Sequence, residues 1–412
     1  LQFRAEYPNA ASRVKGIDAA SQEIGCRAEV FAPVFRTLHS DTKYTYTVEG
    51  FEKLPQLRVT YHVGEDFLDV IDGLRAIDEA IHFLNLDCGD RIGHALALGI
   101  SVSDWYQKKG YRISLPKQDY LDNTVWLYHA IRRFNIEGMD NLRAKLEKEF
   151  YNYFNEIYGR FISREYIQKI QEIVDQDGNQ EILNFDIYTY YDAWKLRGDD
   201  PKLYRRGFYR NRSAYMVPIE ANAVNRQFPR NFEIRNKLAV AVLYHYYHYD
   251  ANVRRSGSVS VDIKLDVEYI KAASEVQKAM QNEIAQKGIG IETNPSSNVM
   301  IGKFSRYDEH PITSFYNNGL TTDAEKLNEC PQIWVSINTD DQGVFNIKLE
   351  NEYALLASAM EKKKDENGKI LYKKTMIYEW LDKIRKMGLE QSFLQKSEEE
   401  SFKDMMEKRE EV

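Results

Sequence analysis

The chain has 412 residues, 43% of them hydrophobic, which is long and apolar enough to exceed one ordinary domain core. Its 56 Lys and Arg against 63 Asp and Glu leave a formal charge of −7, which excludes a global nucleic-acid-binding signature. No run of roughly 18 apolar residues offers a membrane span. Cys26, Cys88 and Cys330 are odd in number and lack metal-type spacing, so the chain reads as cytoplasmic, soluble and kept reduced.

In chain order, residues 14 to 20 read as a strand, about 27 to 37 as a helix, 57 to 64 as a strand, 67 to 84 as a helix and 91 to 98 as a strand. Within 67 to 84 the apolar positions 67, 70, 71, 74, 77, 81 and 84 make one helical stripe. From about 101 to 283 the alternation stops. Helical stretches at 123 to 135 and 140 to 162 precede a loop-rich segment containing Asp177, Gly178, Gly198 and Pro201; a further helix covers 231 to 250. Residues 261 to 288 return the chain to the strand GIGIETN, and 333 to 339 form the last strand. After the LENEYALLA helix (349 to 357), EKKKDENGK (361 to 369) reads as a solvated turn, and the end, SEEESFKDMMEKREEV, is charged enough to fray.

Five polar residues sit where apolar runs give out. His62 and Glu65 end LRVTYHVGED (57 to 66), His94 lies in DRIGHALAL (90 to 98), and Asp340 and Asp341 end QIWVSINTDD (332 to 341). Strands that end in functional side chains, with helices between them, build the carboxyl-face site of a (β/α)8 barrel. Imidazole plus carboxylate suits zinc, and a glutamate three residues after a ligand can move protons.

These residues resemble the adenosine/AMP deaminase branch of the metal-dependent amidohydrolases. HVGE stands for the family's HAGE, RIGHA for its GHG, TDDQ for its TDDP and ETNPSSN (292 to 298) for its (C/N)PxSN. VKGIDAASQE (14 to 23) is similar to the family's GIDLAGDE, and LENEYALLA to the helix after its last strand. Asp18, His62, His94, Asn294 and Asp340 lie 44, 32, 200 and 46 residues apart. Three of those intervals fit single βα units of about 30 to 45 residues, and the third holds an insertion of roughly 160. The resemblance implies an α/β TIM-type barrel with strands 4 to 8 present and a large, mainly helical insertion between strands 6 and 7. Its parts are then 1–100 and 284–360 for the barrel, 101–283 for the insertion and 361–412 for a helical tail.

The family takes two further zinc ligands from an HxH on its first strand, and none occurs among the eight histidines. The chain is therefore expected to be the carboxyl-terminal portion of a longer protein, with a metal-free barrel as the competing reading. The resemblance implies one zinc per subunit held by His62 and Asp340 with two upstream histidines, and Glu65 as proton shuttle to purine N1. It implies that His94 stabilises developing charge, that Asp341 meets purine N7, and that Ser21 and Gly64 line the substrate. Ser21 stands where the family has glycine, Ala95 replaces a glycine after His94, and Gln342 replaces a proline.

The added segments and YDAWKLRGDDP (191 to 201) are similar to the deaminase component of RADAR anti-phage systems. That likeness implies adenosine or adenine-nucleotide deamination in antiviral defence, a large homo-oligomer and a partner ATPase, with RNA as a further candidate partner. The alternatives are an amidohydrolase of another amine or amide, or a metal-free scaffold of a defence or RNA-binding assembly. Between Pro201 and Arg255, eleven Lys or Arg face three acids, and Arg205, Arg206, Arg210 and Arg212 interleave with aromatics. Such a cluster suits phosphate binding or a contact between subunits. The 28 tyrosines suit a docking surface or a wet helical core. His310 reads as a turn residue or a substrate contact. His245 and His248, with HxxH spacing, read as packing residues before they read as a second metal site.

Overall fold

The computed structural model describes residues 3, 6–20, 22–39, 57–159, 162, 184–201, 231–235, 237–301 and 304–394. Seven strands lie among them: β1 (Gly16–Ile17), β2 (Arg58–Val63), β3 (Arg91–His94), β4 (Arg112–Pro116), β5 (Ser260–Lys264), β6 (Gly290–Thr293) and β7 (Val335–Ile337). Five of them form a parallel sheet in the order β1-β2-β3-β6-β7. This is a partial TIM-type barrel. Parallel strands covered by crossover helices are buried on both faces and lose alternation; β7 is buried at every position and β3 at all but its first.

The register sets the rim. Val63 pairs with His94, Gly93 with Glu292, and Thr293 with Ile337, so the carboxyl ends of β2, β3, β6 and β7 finish side by side. That is the edge at which barrels place their chemistry.

The longer helices are α1 (Ala32–His39), α2 (Val70–Phe83), α3 (Val102–Lys108), α4 (Lys117–Arg133), α5 (Asp140–Ile157), α6 (Ile187–Lys195), α7 (Leu238–Tyr249), α8 (Ala251–Gly257), α9 (Val267–Lys287), α10 (Pro295–Met300), α11 (Leu349–Lys362) and α12 (Lys374–Glu390). Helix α2 carries the stripe read from the sequence, with Ile71, Leu74, Ile77 and Ile81 at most 3% exposed. Its polar face is buried as well. Trp126 Nε1 of α4 donates to Asp78 at 2.7 Å, and Trp194 Nε1 of α6 donates to Glu79 at 2.9 Å. Arg75 spans Glu79 (2.6 Å) and Asp72 (2.9 Å) on the same helix. Buried charges persist where each is paired and hydrogen-bonded.

Between β3 and β6 the described chain is mainly helical, with one exception. β4 and β5 pair antiparallel, Ile113 opposite Ile263, across a gap of 150 residues. The tyrosines here form a wet core: Tyr190 donates to Asp122 (2.8 Å), Tyr158 to Gln118 (3.0 Å) and Tyr247 to Glu29 (2.8 Å). His248 packs against Tyr244 and Tyr247 at centroid distances of 4.3 and 4.9 Å, and His245 against Tyr249 at 5.2 Å.

Several boundaries differ from the sequence reading. The strand expected at 91 to 98 stops at His94, because His94 and Ala95 take left-handed backbone (φ 63° and 49°) and a single turn, Leu96–Leu98, follows. Its apolar residues stay buried because Gln277 and Gln281 of α9 donate to the carbonyls of Ala97, Ile100 and Leu98 at 2.6 to 3.0 Å. Residues 260–264 are strand; α9 begins at Val267, capped by Asp266, which accepts the Tyr269 N–H. The helix read over 231 to 250 is Phe232–Arg235 followed by α7. Ser21, Asp177, Gly178, Arg205, Arg206, Arg210, Arg212 and the charged end fall outside the described residues.

Candidate active site

His62 is the fifth residue of β2, and its ring stands perpendicular to that of His94, 5.1 Å away. Gly93, between Ile92 and His94, leaves room for it: a Cβ there would lie 2.2 Å from His62 Cδ2. His62 Nε2 faces Asp18 Oδ2 at 3.7 Å and Glu292 Oε2 at 4.0 Å. Burial raises the Asp18 carboxyl, an effect that the nearby His62 opposes. Arg91 holds Glu292 through its Nε at 2.5 Å.

The turn after β2 is made by Gly64 at φ +82°, a conformation glycine adopts without strain. A Cβ at Gly64 would also meet Ile77 of α2 at 2.7 Å. The Gly64 N–H donates to Glu23 and its carbonyl accepts from the Ala97 N–H, both at 2.8 Å. Its expected contribution to substrate therefore lies in the space left by the missing side chain. The Glu65 N–H also donates to Glu23 (3.1 Å), while the Glu65 carboxyl turns inward and accepts from Asn298 Nδ2 at 2.5 Å.

His94 is 2% exposed and meets every other element of the rim. Its Nδ1 lies 3.2 Å from Glu65 Oε1 and 3.0 Å from Asn298 Nδ2; its Nε2 lies 3.7 Å from Asp340 Oδ2 and 3.2 Å from Asn294 Nδ2. Burial, then the neighbouring His62, pushes its pKa down to about 4, so the ring is neutral near pH 7.

Asp340 follows β7 in left-handed backbone, φ 58°, and Ser297 of α10 donates to its Oδ2 at 2.6 Å. A non-glycine residue in that region carries strain that the surroundings must hold. Its neighbour takes the opposite course. Asp341 is exposed, and its Oδ1 caps the short helix Gln342–Phe345 by accepting the N–H groups of Gly343 (2.7 Å) and Val344 (3.2 Å). The structure thus brings His62, Glu65, His94 and Asp340 together and places Asp341 beside them with its carboxylate turned outward.

Sequence reasoning did not single out Glu23, Ser297, Asn298 or Glu352. Glu352 of α11 is fully buried and accepts the Ser296 N–H at 3.0 Å, which seats α10 and with it Ser297 and Asn298. A polar residue inside the apolar LENEYALLA pattern was the available signal. A narrow cleft of about 30 Å³ opens beside His62, lined by Glu23, Cys26, Arg27, Tyr61 and Asp66. That is room on the scale of a water molecule.

An imidazole and a carboxylate converging on one buried ring are donors of the kind zinc takes, so His62 and Asp340 fit two positions of a tetrahedral site. A second grouping, His39 with Asp87 and Asp90, lies at the other end of the strands, where Asp90 precedes β3 and accepts the Val59 N–H at 2.9 Å. His39 Nε2 is 3.4 Å from Asp90 Oδ2, and the pair anchors the base of the barrel, away from the rim.

The fold is that of a partial TIM-type barrel with polar side chains gathered at the carboxyl ends of its strands. Residues 267–396 match the adenosine deaminase family model, which covers β6, β7, Asn298, His310 and Asp340, while His62, Glu65 and His94 lie before it. The chain is 35% identical over 81 residues to an adenosine deaminase of Erwinia tasmaniensis, covering 20% of each chain. It is 34% identical over 83 residues to that of Shewanella denitrificans, covering 20% of this chain and 21% of the relative. Over 126 residues it is 29% identical to that of Aliivibrio fischeri, covering 31% of this chain and 30% of the relative. The chain thus spans between a fifth and a third of the length of these relatives.

Proposed function

We propose that the protein deaminates adenosine or an adenine nucleotide hydrolytically to the inosine form, with His62 and Asp340 as two ligands of a zinc ion. The observation that carries this reading is the convergence of Glu65 and Asp340 on the two nitrogens of His94, at 3.2 and 3.7 Å. When bound, zinc supplies the Lewis acidity that makes water nucleophilic near neutral pH.

Glu65 gives its proton to purine N1, which makes C6 electrophilic; water adds at C6, one of its protons leaves on the departing ammonia and the other returns to Glu65 as the 6-oxo group forms. Asn298 occupies Glu65 Oε1, so the transferable proton belongs on Oε2. His94 is held neutral and stabilises charge as it develops at C6. Asp341 caps through Oδ1, which leaves Oδ2 for purine N7. The family likeness of the matched residues supports the substrate, and the similarity to RADAR deaminases supports a role in antiviral defence as a homo-oligomer with a partner ATPase. Ser21 and the arginines at 205, 206, 210 and 212 complete the reading as substrate and phosphate contacts.

Ammonia release by the full-length zinc-loaded protein, measured against a panel of nucleosides, nucleotides and unrelated amines, tests this. Release from adenosine or its nucleotides, with the 6-oxo product, is expected. Release from an unrelated amine or amide alone would refute it.

A further inference from the structure

His310 lies 216 residues after His94 in sequence, yet it closes the back of the same site. It is 2% exposed and precedes Pro311 and the short helix Ile312–Phe315. Its two nitrogens have different partners. The backbone N–H of Ile312 donates to Nδ1 at 3.2 Å, and Nε2 lies 3.1 Å from Asn298 Oδ1.

A backbone N–H can only donate, so Nδ1 must be the acceptor and Nε2 must carry hydrogen. Burial, then the neighbouring His94, lowers the His310 pKa to about 3, so the ring stays neutral with that one tautomer. The amide atom of Asn298 that faces Nε2–H must then be its oxygen. This sets the orientation of the Asn298 amide. The two N–H bonds of Asn298 consequently point the other way, one to Glu65 Oε1 at 2.5 Å and one to His94 Nδ1 at 3.0 Å.

We propose that His310 is a positioning residue that, through Asn298, dictates where the protons sit on Glu65 and His94. With Nδ1 accepting, neutral His94 carries its hydrogen on Nε2, which faces Asp340 Oδ2 at 3.7 Å, and the Asn294 amide must then present its oxygen to that N–H. With Oε1 accepting, protonated Glu65 carries its hydrogen on Oε2. The order runs from one backbone N–H through two side chains to both reacting groups. No bond is made or broken by His310 itself. The proposal rests on the deaminase reading for its kinetic consequence, while the tautomer of His94 is a property of the resting protein.

The test uses the full-length protein with labelled histidine nitrogens. In the wild type, NMR is expected to show His94 with a bare Nδ1 and a protonated Nε2. In His310→Phe, which keeps bulk but has no donor, His94 should populate both tautomers, and kcat should fall about 100-fold with KM little changed. His310→Gln, whose amide N–H can reach Asn298, should restore the single tautomer and most of kcat. Thermal unfolding of each variant is followed alongside. If His310→Phe does not fold, Asn298→Asp gives the same decision, because a carboxylate accepts from His310 but cannot donate to Glu65 or His94. A single unchanged His94 tautomer in the Phe or Asp variant overturns the proposal, as does an equal loss of kcat in the Gln and Phe variants. A wild type that releases no ammonia while showing the expected tautomer would instead count against the deaminase reading.

Discussion

Glu23 and Gly64, 41 residues apart in the chain, are joined by a 2.8 Å hydrogen bond in which the Gly64 backbone N–H donates to the Glu23 carboxylate. The N–H groups of Glu65 and Asp66 converge on the same side chain at 3.1 and 3.4 Å. Successive N–H groups turned to one side make a seat for an anion. Glu65 thus enters the site on a backbone pinned from the loop after β1. Glu23→Ala is expected to retain metal and lower kcat about 100-fold by releasing that backbone. Metal analysis with paired kinetics checks it; wild-type turnover would remove Glu23 from the machinery.

Glu65→Gln keeps the size of the side chain and removes its transferable proton. Zinc content should match the wild type while deamination falls by about 10²- to 10⁴-fold. Turnover close to the wild type would end the shuttle assignment.

Asp340 turns inward and Asp341 outward, so their removal should differ. Asp340→Ala is expected to lose metal. Asp341→Ala should keep metal, lose activity and cost about 1 kcal/mol through its lost helix cap. Equal metal loss in both variants would refute this division.

Asp69 precedes α2, is fully buried, and accepts from the hydroxyls of Tyr106 (2.5 Å) and Tyr269 (2.7 Å). Burial dominates and raises its pKa from 3.8 to about 6, against those hydroxyls. The unfolded chain therefore releases this proton first as pH rises, and wild-type stability falls between pH 3.8 and about 6, by roughly 3 kcal/mol at most. Denaturant titrations of wild type and Asp69→Asn across that window should show the difference moving towards the variant, then levelling above about 6. A pH-independent difference would contradict the assignment.

Replacing Arg205, Arg206, Arg210 and Arg212 with alanine should weaken use of ATP far more than use of adenosine, and added salt should shrink the contrast. An altered assembly mass with both substrates affected alike would place these arginines between subunits. Light scattering and paired kinetics separate the outcomes.

The strand ends were the most legible part of the chain, because a polar residue after a buried apolar run stands out: His62, His94 and Asp340 all reach the rim. The direction each side chain takes was not legible. It depends on left-handed backbone at His94, Ala95 and Asp340, which side-chain identity does not announce; only the family's glycine at the position of Ala95 hinted at it. The β4–β5 pair was missed because RISLP and SVDIK are short, half-exposed and paired far along the chain. Apolarity misled at Ala97 and Leu98, where glutamine side chains rather than a neighbouring strand satisfy the backbone. Contacts such as His310 to Asn298 join loops whose approach only the fold defines.

Helix α2 holds Ile77 against Gly64 and, one residue later, Asp78 against Trp126 and Arg133 of α4. Adjacent residues of one helix thus address the turn that carries Glu65 on one side and the helical segment on the other. Excising that segment would strand Asp72, Arg75, Asp78 and Glu79 on a bare surface, so a trimmed barrel is not a smaller version of this protein. The helical segment thus keeps the charges of α2 paired, and through Ile77 the same helix backs the turn that carries Glu65.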